Sequence, residues 1–96
     1  MTYTLIYEKH VVKDDIPQLG PNKKRVEEAV LTKLSSRPEL FGHPLGGQLK
    51  GFYKLRVGPY RVIFSIEENF VRIFKIGHRS SVYKEVMERV TRRWLS

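Results

Sequence analysis

The segment from Phe52 to Ile76 constrains the fold most, because it is a run of β-branched and aromatic residues that two turn signals interrupt. Gly58-Pro59 forms the first interruption and Glu68-Asn69 forms the second. Short runs of strand-forming residues separated by two-residue turns are typical of hairpins. The segment therefore predicts three consecutive strands, a β-meander.

A two-residue turn at Gly58-Pro59 fixes the register of the first hairpin. One face is then wholly apolar, with the pairs Val57 and Tyr60, Leu55 and Val62, and Tyr53 and Phe64. The other face sets Arg56 directly opposite Arg61, with Lys54 two residues away. Because like charges directly opposite each other destabilise a sheet, this face is expected either to be solvated or to cradle phosphates.

The residues around the meander predict one more strand and three helices. Thr2–Tyr7 is predicted to be a strand, with a helix as the alternative. Helical spacing of apolar residues over Lys9–Leu19 predicts a helix that Pro17 shortens or kinks and that Gly20-Pro21 ends. Asn22 is a candidate N-cap of a second helix, which runs to about Ser36 and forms an antiparallel hairpin with the first. Ser80 or Ser81 caps a last helix, whose apolar stripe is Tyr83, Val86, Met87, Val90 and Trp94, with Trp94 expected to pack.

The predicted element order is β-α-α-β-β-β-α. This order indicates an α+β fold in which the helical hairpin and the C-terminal helix pack on a small, mainly antiparallel four-stranded sheet. The length of 96 residues fits a single domain, assigned to residues 1–96. The turn-rich stretch Arg37–Gly47 is expected to be an ordinary loop within it.

The chain is strongly basic, with 18 Lys and Arg against 10 Asp and Glu and a formal net charge of +8. Residues 49–96 hold 11 of the basic and 4 of the acidic side chains. This imbalance favours a polyanionic partner, nucleic acid foremost, bound by the second half. The lack of cysteine excludes thiolate chemistry and fits the cytoplasm. No apolar run approaches the about 20 residues that span a bilayer, so no membrane partner is expected.

His78 and Arg79 follow the last predicted strand, and Tyr83 lies one turn into the last helix. Basic and aromatic side chains together bind the phosphates and splayed bases of single-stranded RNA. Tyr83 also lies on the apolar stripe of its helix, where a core tyrosine is the alternative. His78 is interpreted as a phosphate contact rather than an acid or base, and His10 and His43 as structural or solvated.

The chain has no carboxylate pair or histidine cluster at metal-ligand spacing, and Glu67-Glu68 are expected in a solvated turn. Neither a metal nor a cofactor is therefore expected. RNA can instead be cut by its own 2′-hydroxyl, which attacks the adjacent phosphate when a base, a general acid and cations are in place.

Four spaced motifs carry a family resemblance. They are Leu49-Lys50-Gly51, Tyr53-Lys54-Leu55-Arg56-Val57-Gly58, Tyr60-Arg61-Val62-Ile63-Phe64, and Gly77-His78-Arg79 through Val82-Tyr83. Together with the length and the basic second half, they resemble the signature of the RelE/ParE toxins of bacterial and archaeal toxin-antitoxin systems. The resemblance covers nearly the whole chain.

The resemblance implies a toxin from a superfamily with two activities. RelE-like members cut mRNA in the ribosomal A site, whereas ParE-like members inhibit DNA gyrase. The RelE branch has basic residues on the sheet, an arginine after the last strand and a tyrosine near the C-terminus. This chain matches at Lys54, Arg56, Arg61, Arg79 and Tyr83, although position 56 is more often lysine. A ribosome-dependent endoribonuclease is therefore expected, and the alternatives are a ParE-like gyrase inhibitor and a non-catalytic nucleic-acid-binding module.

Residue chemistry suggests a role for each matched side chain. Lys54 is a candidate base, because cationic neighbours disfavour its protonated form. Tyr83 is the competing candidate, because the same charges favour its phenolate, and acid and base stay unassigned between the two. Arg61 and Arg79 are expected to clamp the phosphate, since a planar guanidinium bonds two oxygens at once. The expected substrate-binding residues are Lys50, Arg56 and His78.

The resemblance also implies a protein antitoxin, besides mRNA and the ribosome, as a partner. An antitoxin segment that is disordered when free is expected to fold on this chain. It would either cover Lys54, Arg56, Arg61 and Arg79 or displace the final helix that begins near Ser81.

Overall fold

A five-stranded sheet lies at the centre of the structure, a computed structural model that describes residues 2–95 and the side chains of residues 2–92. Its strands are β1 (Thr4–Tyr7), β2 (His43–Pro44), β3 (Tyr53–Val57), β4 (Tyr60–Glu67) and β5 (Phe70–His78). They lie in the order β1-β5-β4-β3-β2. β1 is parallel to β5, and the other neighbours are antiparallel. The prediction of a mainly antiparallel sheet in an α+β fold is confirmed.

The first hairpin has the predicted register. Tyr53 pairs with Phe64, Leu55 with Val62 and Val57 with Tyr60, and Arg56 lies opposite Arg61. At the turn Gly58 adopts a φ of 57°, a left-handed conformation that glycine reaches without the steric cost of a side chain. The Gly58-Pro59 signal therefore predicted both the turn and the pairing of the strands that it joins.

Helical segments precede and follow the sheet. The regular helices are α1 (Lys23–Ala29), α2 (Pro38–Phe41) and α3 (Val82–Leu95). A π-helical turn over Val11–Asp15 and a 3-10 segment over Pro17–Asn22 come before α1, and a second π-helical turn, Val30–Leu34, continues it. The helix predicted over Lys9–Leu19 is divided near Pro17, as that proline indicated, because Pro17 has no N–H to donate within a helix. Its two parts are π-helical and 3-10 rather than α-helical. Gly20 has a φ of 56° and interrupts the helical path, as its sequence predicted.

The predictions of a four-stranded sheet and of an ordinary loop at Arg37–Gly47 are wrong in detail. Both α2 and β2 lie in that stretch. β2 pairs with β3 through His43 with Lys54 and Pro44 with Tyr53. A strand of two residues, His43 and Pro44, is too short to show a periodic pattern in the sequence. Its proline is typical of an edge strand. Pairing with β3, rather than local preference, therefore forms β2.

Apolar residues cover both faces of the sheet. The first core cluster joins the apolar face of the meander to the helical segments before it and comprises Val11, Leu19, Val26, Val30, Leu34, Leu55, Val57, Val62, Phe64, Val71, Ile73 and Ile76. The second core cluster lies under α3 and comprises Leu49, Ile63, Phe74, Val82 and Val86. Trp94, which was expected to pack, lies outside the described side chains. In the described part of the chain no helix has the length and apolarity needed to cross a membrane.

Buried charges tie α3 to the rest of the fold. Asp15 is only 4% exposed, and its carboxylate accepts hydrogen bonds from Arg89 Nη1 at 2.9 Å and Nη2 at 2.7 Å. Lys75 Nζ and the backbone N–H of Ile76 donate to the same carboxylate, each at 3.0 Å. Arg89 Nη1 also donates to the carbonyl oxygen of Phe74 at 3.0 Å. One carboxylate therefore holds together α3, β5 and the first helical segment.

Candidate active site

The basic residues of the first hairpin lie on the sheet face that α3 partly covers. Side chains alternate between the faces along a strand, and Lys54 pairs with Ile63 of the second core cluster. Arg56 and Arg61 lie on that same face, two residues nearer the Gly58-Pro59 turn. We call this part of the sheet, with Lys54, Arg56 and Arg61, the basic face.

The start of α3 brings Tyr83 beside Lys54. The Nζ atom of Lys54 lies 5.9 Å from the centroid of the Tyr83 ring, which is within cation–π range. Both side chains are half-buried, and Tyr83 also packs against the second core cluster. Tyr83 therefore packs in the core and borders the candidate site at the same time, so the two alternatives for this residue do not exclude each other. The two candidate acid–base residues, Lys54 and Tyr83, are neighbours.

Arg61 is fixed by the backbone of its own hairpin. Its Nη1 donates to the carbonyl oxygens of Gly58 at 2.9 Å and of Tyr60 at 2.8 Å. A guanidinium carries further N–H groups besides those on Nη1, and these are available to an anion. Because the side chain is already held, an anion that binds it costs less conformational entropy.

The turn after β5 places Arg79 next to the same hairpin. The backbone N–H of Arg79 donates to the carbonyl oxygen of Pro59 at 2.8 Å. This hydrogen bond joins the turn between β5 and α3 to the turn between β3 and β4. The side chain of Arg79 is exposed, so it is free to contact a ligand that lies at the hairpin.

The structure does not bring the ring of His78 to the basic face. Gly77 pairs with Arg61 and so lies on the basic face, whereas His78 pairs with Tyr60 and lies on the opposite face. The His78 ring meets the Tyr60 ring edge-on at a centroid distance of 6.0 Å. Its Nδ1 lies 2.8 Å from Oγ of Ser80. His78 is therefore placed to shape the turn before α3.

The other two predicted substrate-binding residues are exposed. Arg56 lies opposite Arg61 on the basic face. Lys50 follows the 3-10 turn Gly47–Leu49, just before β3. A substrate role for each stays a prediction.

Ion pairs divide the basic side chains around the sheet into two groups. Arg72 pairs with Glu67 at 3.1 Å, and Lys75 pairs with Asp15 at 3.0 Å and with Glu85 at 3.5 Å. Within the described side chains, no carboxylate lies at salt-bridge distance from Lys54, Arg56, Arg61 or Arg79. The first group is neutralised within the fold, whereas the second keeps its charge for an external anion.

Sequence reasoning missed one cation at the hairpin turn. A Cβ placed on Gly58 would lie 2.9 Å from Nη2, 3.0 Å from Nη1 and 3.1 Å from Cζ of Arg25. The three distances are nearly equal, so the flat face of the Arg25 guanidinium covers Gly58. Arg25 lies on α1, in the half of the chain where the charges nearly cancel. The charge distribution along the sequence therefore did not indicate Arg25 as a candidate binding residue.

Two features lie outside this arrangement. Burial, and then the Glu27 carboxylate, raise the pKa of Tyr7, which keeps that phenol neutral as it packs against the first core cluster. Tyr7 lies on β1, which β5 and β4 separate from β3. Among residues 2–92, no group of three or more histidines or carboxylates is placed to hold a metal ion. The chemistry available at the basic face is that of lysine, arginine and tyrosine.

A family model matches most of the chain. The family model described as the ParE toxin of the type II toxin-antitoxin system parDE matches residues 9–83. The chain belongs to the RelE/ParE superfamily of type II toxins. The family resemblance drawn from the four motifs is thereby confirmed.

Two curated toxins of Mycobacterium tuberculosis are similar in sequence to this RelE/ParE toxin. Toxin RelG is 30% identical over 87 residues, which cover 88% of this chain and 99% of RelG. Toxin RelE is 36% identical over 59 residues, which cover 59% of this chain and 61% of that protein. The similarity to RelG therefore extends over most of both chains.

Solved structures share the fold of this RelE/ParE toxin. A chain of the toxin-antitoxin complex RelBE2 from Mycobacterium tuberculosis superposes with a TM-score of 0.76 at 29% identity, over 83% of this chain and 94% of that one. A mutant of the E. coli toxin RelE in the free state superposes with a TM-score of 0.66 at 24% identity, over 94% of this chain and 99% of that one. The α+β architecture is therefore that of RelE-type toxins.

Proposed function

We propose that this toxin is a ribosome-dependent endoribonuclease that cuts mRNA. The observation that carries the proposal is the group of unpaired cations at the hairpin, Lys54, Arg56, Arg61 and Arg79, with Tyr83 beside Lys54. Unpaired guanidinium and ammonium groups next to an aromatic ring suit an RNA phosphate with an unstacked base. The curated relatives named RelG and RelE favour the mRNA-cutting branch.

The proposed reaction is a transesterification within the RNA. The 2′-oxygen attacks the adjacent phosphorus while a base removes its proton, and the bond from phosphorus to the 5′-oxygen breaks. A general acid returns a proton to the leaving 5′-oxygen. The products are a 2′,3′-cyclic phosphate and a 5′-hydroxyl, so all atoms balance without a metal or a cofactor. Lys54 and Tyr83 are neighbours, and one of them supplies the base while the other supplies the acid.

Arg61 and Arg79 are proposed to stabilise the transition state. The five-coordinate phosphorane carries more negative charge than the ground-state phosphodiester, so preorganised cations bind the phosphorane more strongly. Arg61 meets that requirement, because two backbone carbonyls hold one end of its guanidinium. Arg79 approaches the same hairpin through the turn before α3.

A ParE-like gyrase inhibitor is the second candidate function. The observation in its favour is that the matching family model is described as a ParE toxin. A fold does not choose between the two activities. The unpaired cations at the basic face favour the nuclease, because a protein that only inhibits gyrase needs no acid–base pair next to a phosphate clamp.

Induction of the toxin in cells, with mapping of mRNA 5′ ends, separates the two functions. The nuclease is expected to create new ends inside translated messages within minutes, and the Arg79→Ala variant is expected to create few. A supercoiling assay with purified gyrase is run in parallel. Intact messages together with inhibited supercoiling would assign the protein to the gyrase branch.

We further propose that the partner is an antitoxin with an acidic segment that covers the basic face. The solved toxin-antitoxin complex of a relative that is 29% identical supports a partner of this kind. The buried Asp15 and Arg89 contact and the second core cluster hold α3 in place, which favours covering of the basic face over displacement of α3.

Association with the antitoxin is expected to slow markedly as salt rises, because unpaired cations steer an acidic segment toward the basic face. Dissociation is expected to respond much less, since buried apolar contacts govern it. Stopped-flow mixing from about 50 mM to about 500 mM salt, over which the Debye length falls about threefold, measures both rates. An association rate that stays flat would show that the antitoxin recognises another surface.

A further inference from the structure

We propose that Arg25 forms a second phosphate-binding subsite at the Gly58-Pro59 turn, for a backbone phosphate of RNA other than the one that is cut. The inference rests on the proposed function, because it extends the surface that binds the RNA. The observation that carries it is the contact between the Arg25 guanidinium and Gly58. Neither the motifs nor the charge distribution of the sequence singles out this residue.

Arginines from three different elements reach this one turn, two through their side chains and one through its backbone. Arg25 reaches it from α1, with its guanidinium against Gly58. Arg61 reaches it from β4, through the hydrogen bond from Nη1 to the Gly58 carbonyl oxygen at 2.9 Å. Arg79 reaches it from the turn before α3, through its backbone bond to Pro59 at 2.8 Å. The guanidinium groups of Arg25 and Arg61 are therefore both held at Gly58, where like charges repel each other and bound phosphate offsets the repulsion.

The orientation of Arg25 suits phosphate binding. Its flat face lies against Gly58, so its N–H groups, which lie in the guanidinium plane, run along the surface of the turn and not into it. Within the described part of the chain, Arg25 has no carboxylate at salt-bridge distance. Two features favour glycine at position 58. The φ of 57° disfavours other residues, and a Cβ would crowd the Arg25 guanidinium.

The position of the turn explains why a second phosphate is involved. Arg25 belongs to α1, whose Val26 packs in the first core cluster, on the sheet face opposite the basic face. Arg61 lies on the basic face. The hairpin turn is the edge where these two surfaces meet, so an RNA strand that crosses the turn contacts Arg25 with one phosphate and Arg61 with another.

A purely structural role is the competing explanation, in which Arg25 only shields the turn. Arg25→Gln separates the two roles, because glutamine keeps a flat polar group of similar reach but loses the charge. Arg25→Lys keeps the charge and loses the flat shape. Lys24→Gln is the matched control, because Lys24 is an exposed cation on the same helix.

The test measures binding of each variant to two probes across a salt series. The probes are a single-stranded RNA of about 16 nucleotides and vacant ribosomes. Arg25→Gln is expected to weaken binding about tenfold and to lower the slope of log affinity against log salt by about 0.7, the value for one contact with single-stranded RNA. Arg25→Lys is expected to keep the slope, and Lys24→Gln to match the wild type.

The possible outcomes distinguish two sources of the phosphate, the message and ribosomal RNA. They also distinguish failure of the subsite from failure of the proposed function. Weaker binding of Arg25→Gln to both probes assigns the phosphate to the message, and weaker binding to ribosomes alone assigns it to ribosomal RNA. If Arg25→Gln binds both probes with the affinity and slope of the wild type, the subsite is refuted while the proposed function stands. If the wild type binds neither probe, the subsite is refuted, and cleavage of ribosome-bound message decides the proposed function separately.

Discussion

Replacement of Arg61 or Arg79 by alanine is expected to lower the rate of mRNA cleavage on ribosomes by a factor of about 100 or more, as loss of a transition-state contact does. Both residues are unpaired within the described side chains, and the backbone places both at one hairpin. Their contact with the phosphate strengthens as charge develops, so their loss is expected to appear in the rate at saturation rather than in binding alone.

Single-turnover cleavage on saturating ribosomes measures this loss, with circular dichroism as the folding control. Arg72→Ala is the matched variant, because Arg72 lies on the same sheet but is paired with Glu67 at 3.1 Å. It is expected to cleave at nearly the wild-type rate. An Arg79→Ala variant that cuts at full rate would remove Arg79 from the site.

Replacement of Asp15 by alanine is expected to destabilise the fold by about 3–5 kcal/mol, the usual cost of leaving a buried charge without its partner. Asp15 is 4% exposed and Lys75 is 6% exposed, and without Asp15 the buried Lys75 keeps, among the described side chains, only the longer ion pair with Glu85 at 3.5 Å. Arg89 also loses both of its hydrogen bonds to Asp15. A small domain has only about 5–15 kcal/mol of total stability, so the variant is expected to be partly unfolded at growth temperature.

Urea denaturation followed by circular dichroism measures the change in the free energy of unfolding. Asp14→Ala is the matched control, because Asp14 is the exposed carboxylate next in sequence. Its free energy of unfolding is expected to lie within about 0.5 kcal/mol of the wild type. If Asp15→Ala and Asp14→Ala unfold at the same urea concentration, the buried charge cluster does not stabilise the fold.

The hairpin illustrates what the sequence can predict. The Gly58-Pro59 signal leaves a single register for the flanking strands, and that register sets Arg56 opposite Arg61. The positions of these two residues therefore followed from alternation alone. The contact between Lys54 and Tyr83 needed the position of α3 as well, which no local pattern supplies.

The residues that were missed depend on contacts between distant parts of the chain. Lys75 belongs to a strand that was predicted, yet its burial depends on Asp15, which lies 60 residues away in sequence. Arg25 looks like part of an ordinary polar helix face until α1 is packed against the hairpin. β2 exists only because β3 offers it a partner. Packing decides all three, and packing is not visible in periodicity or charge.

Cleavage of one defined mRNA by the purified toxin, free in solution and in the A site of a programmed ribosome, tests the central claim most directly. We expect cleavage on the ribosome to be at least about 100-fold faster, because a lysine and a tyrosine make a weak acid–base pair that depends on orientation of the RNA. We also expect the new 3′ end to carry a 2′,3′-cyclic phosphate. Equal rates on free and ribosome-bound message, or no cleavage of either, would contradict the proposed function.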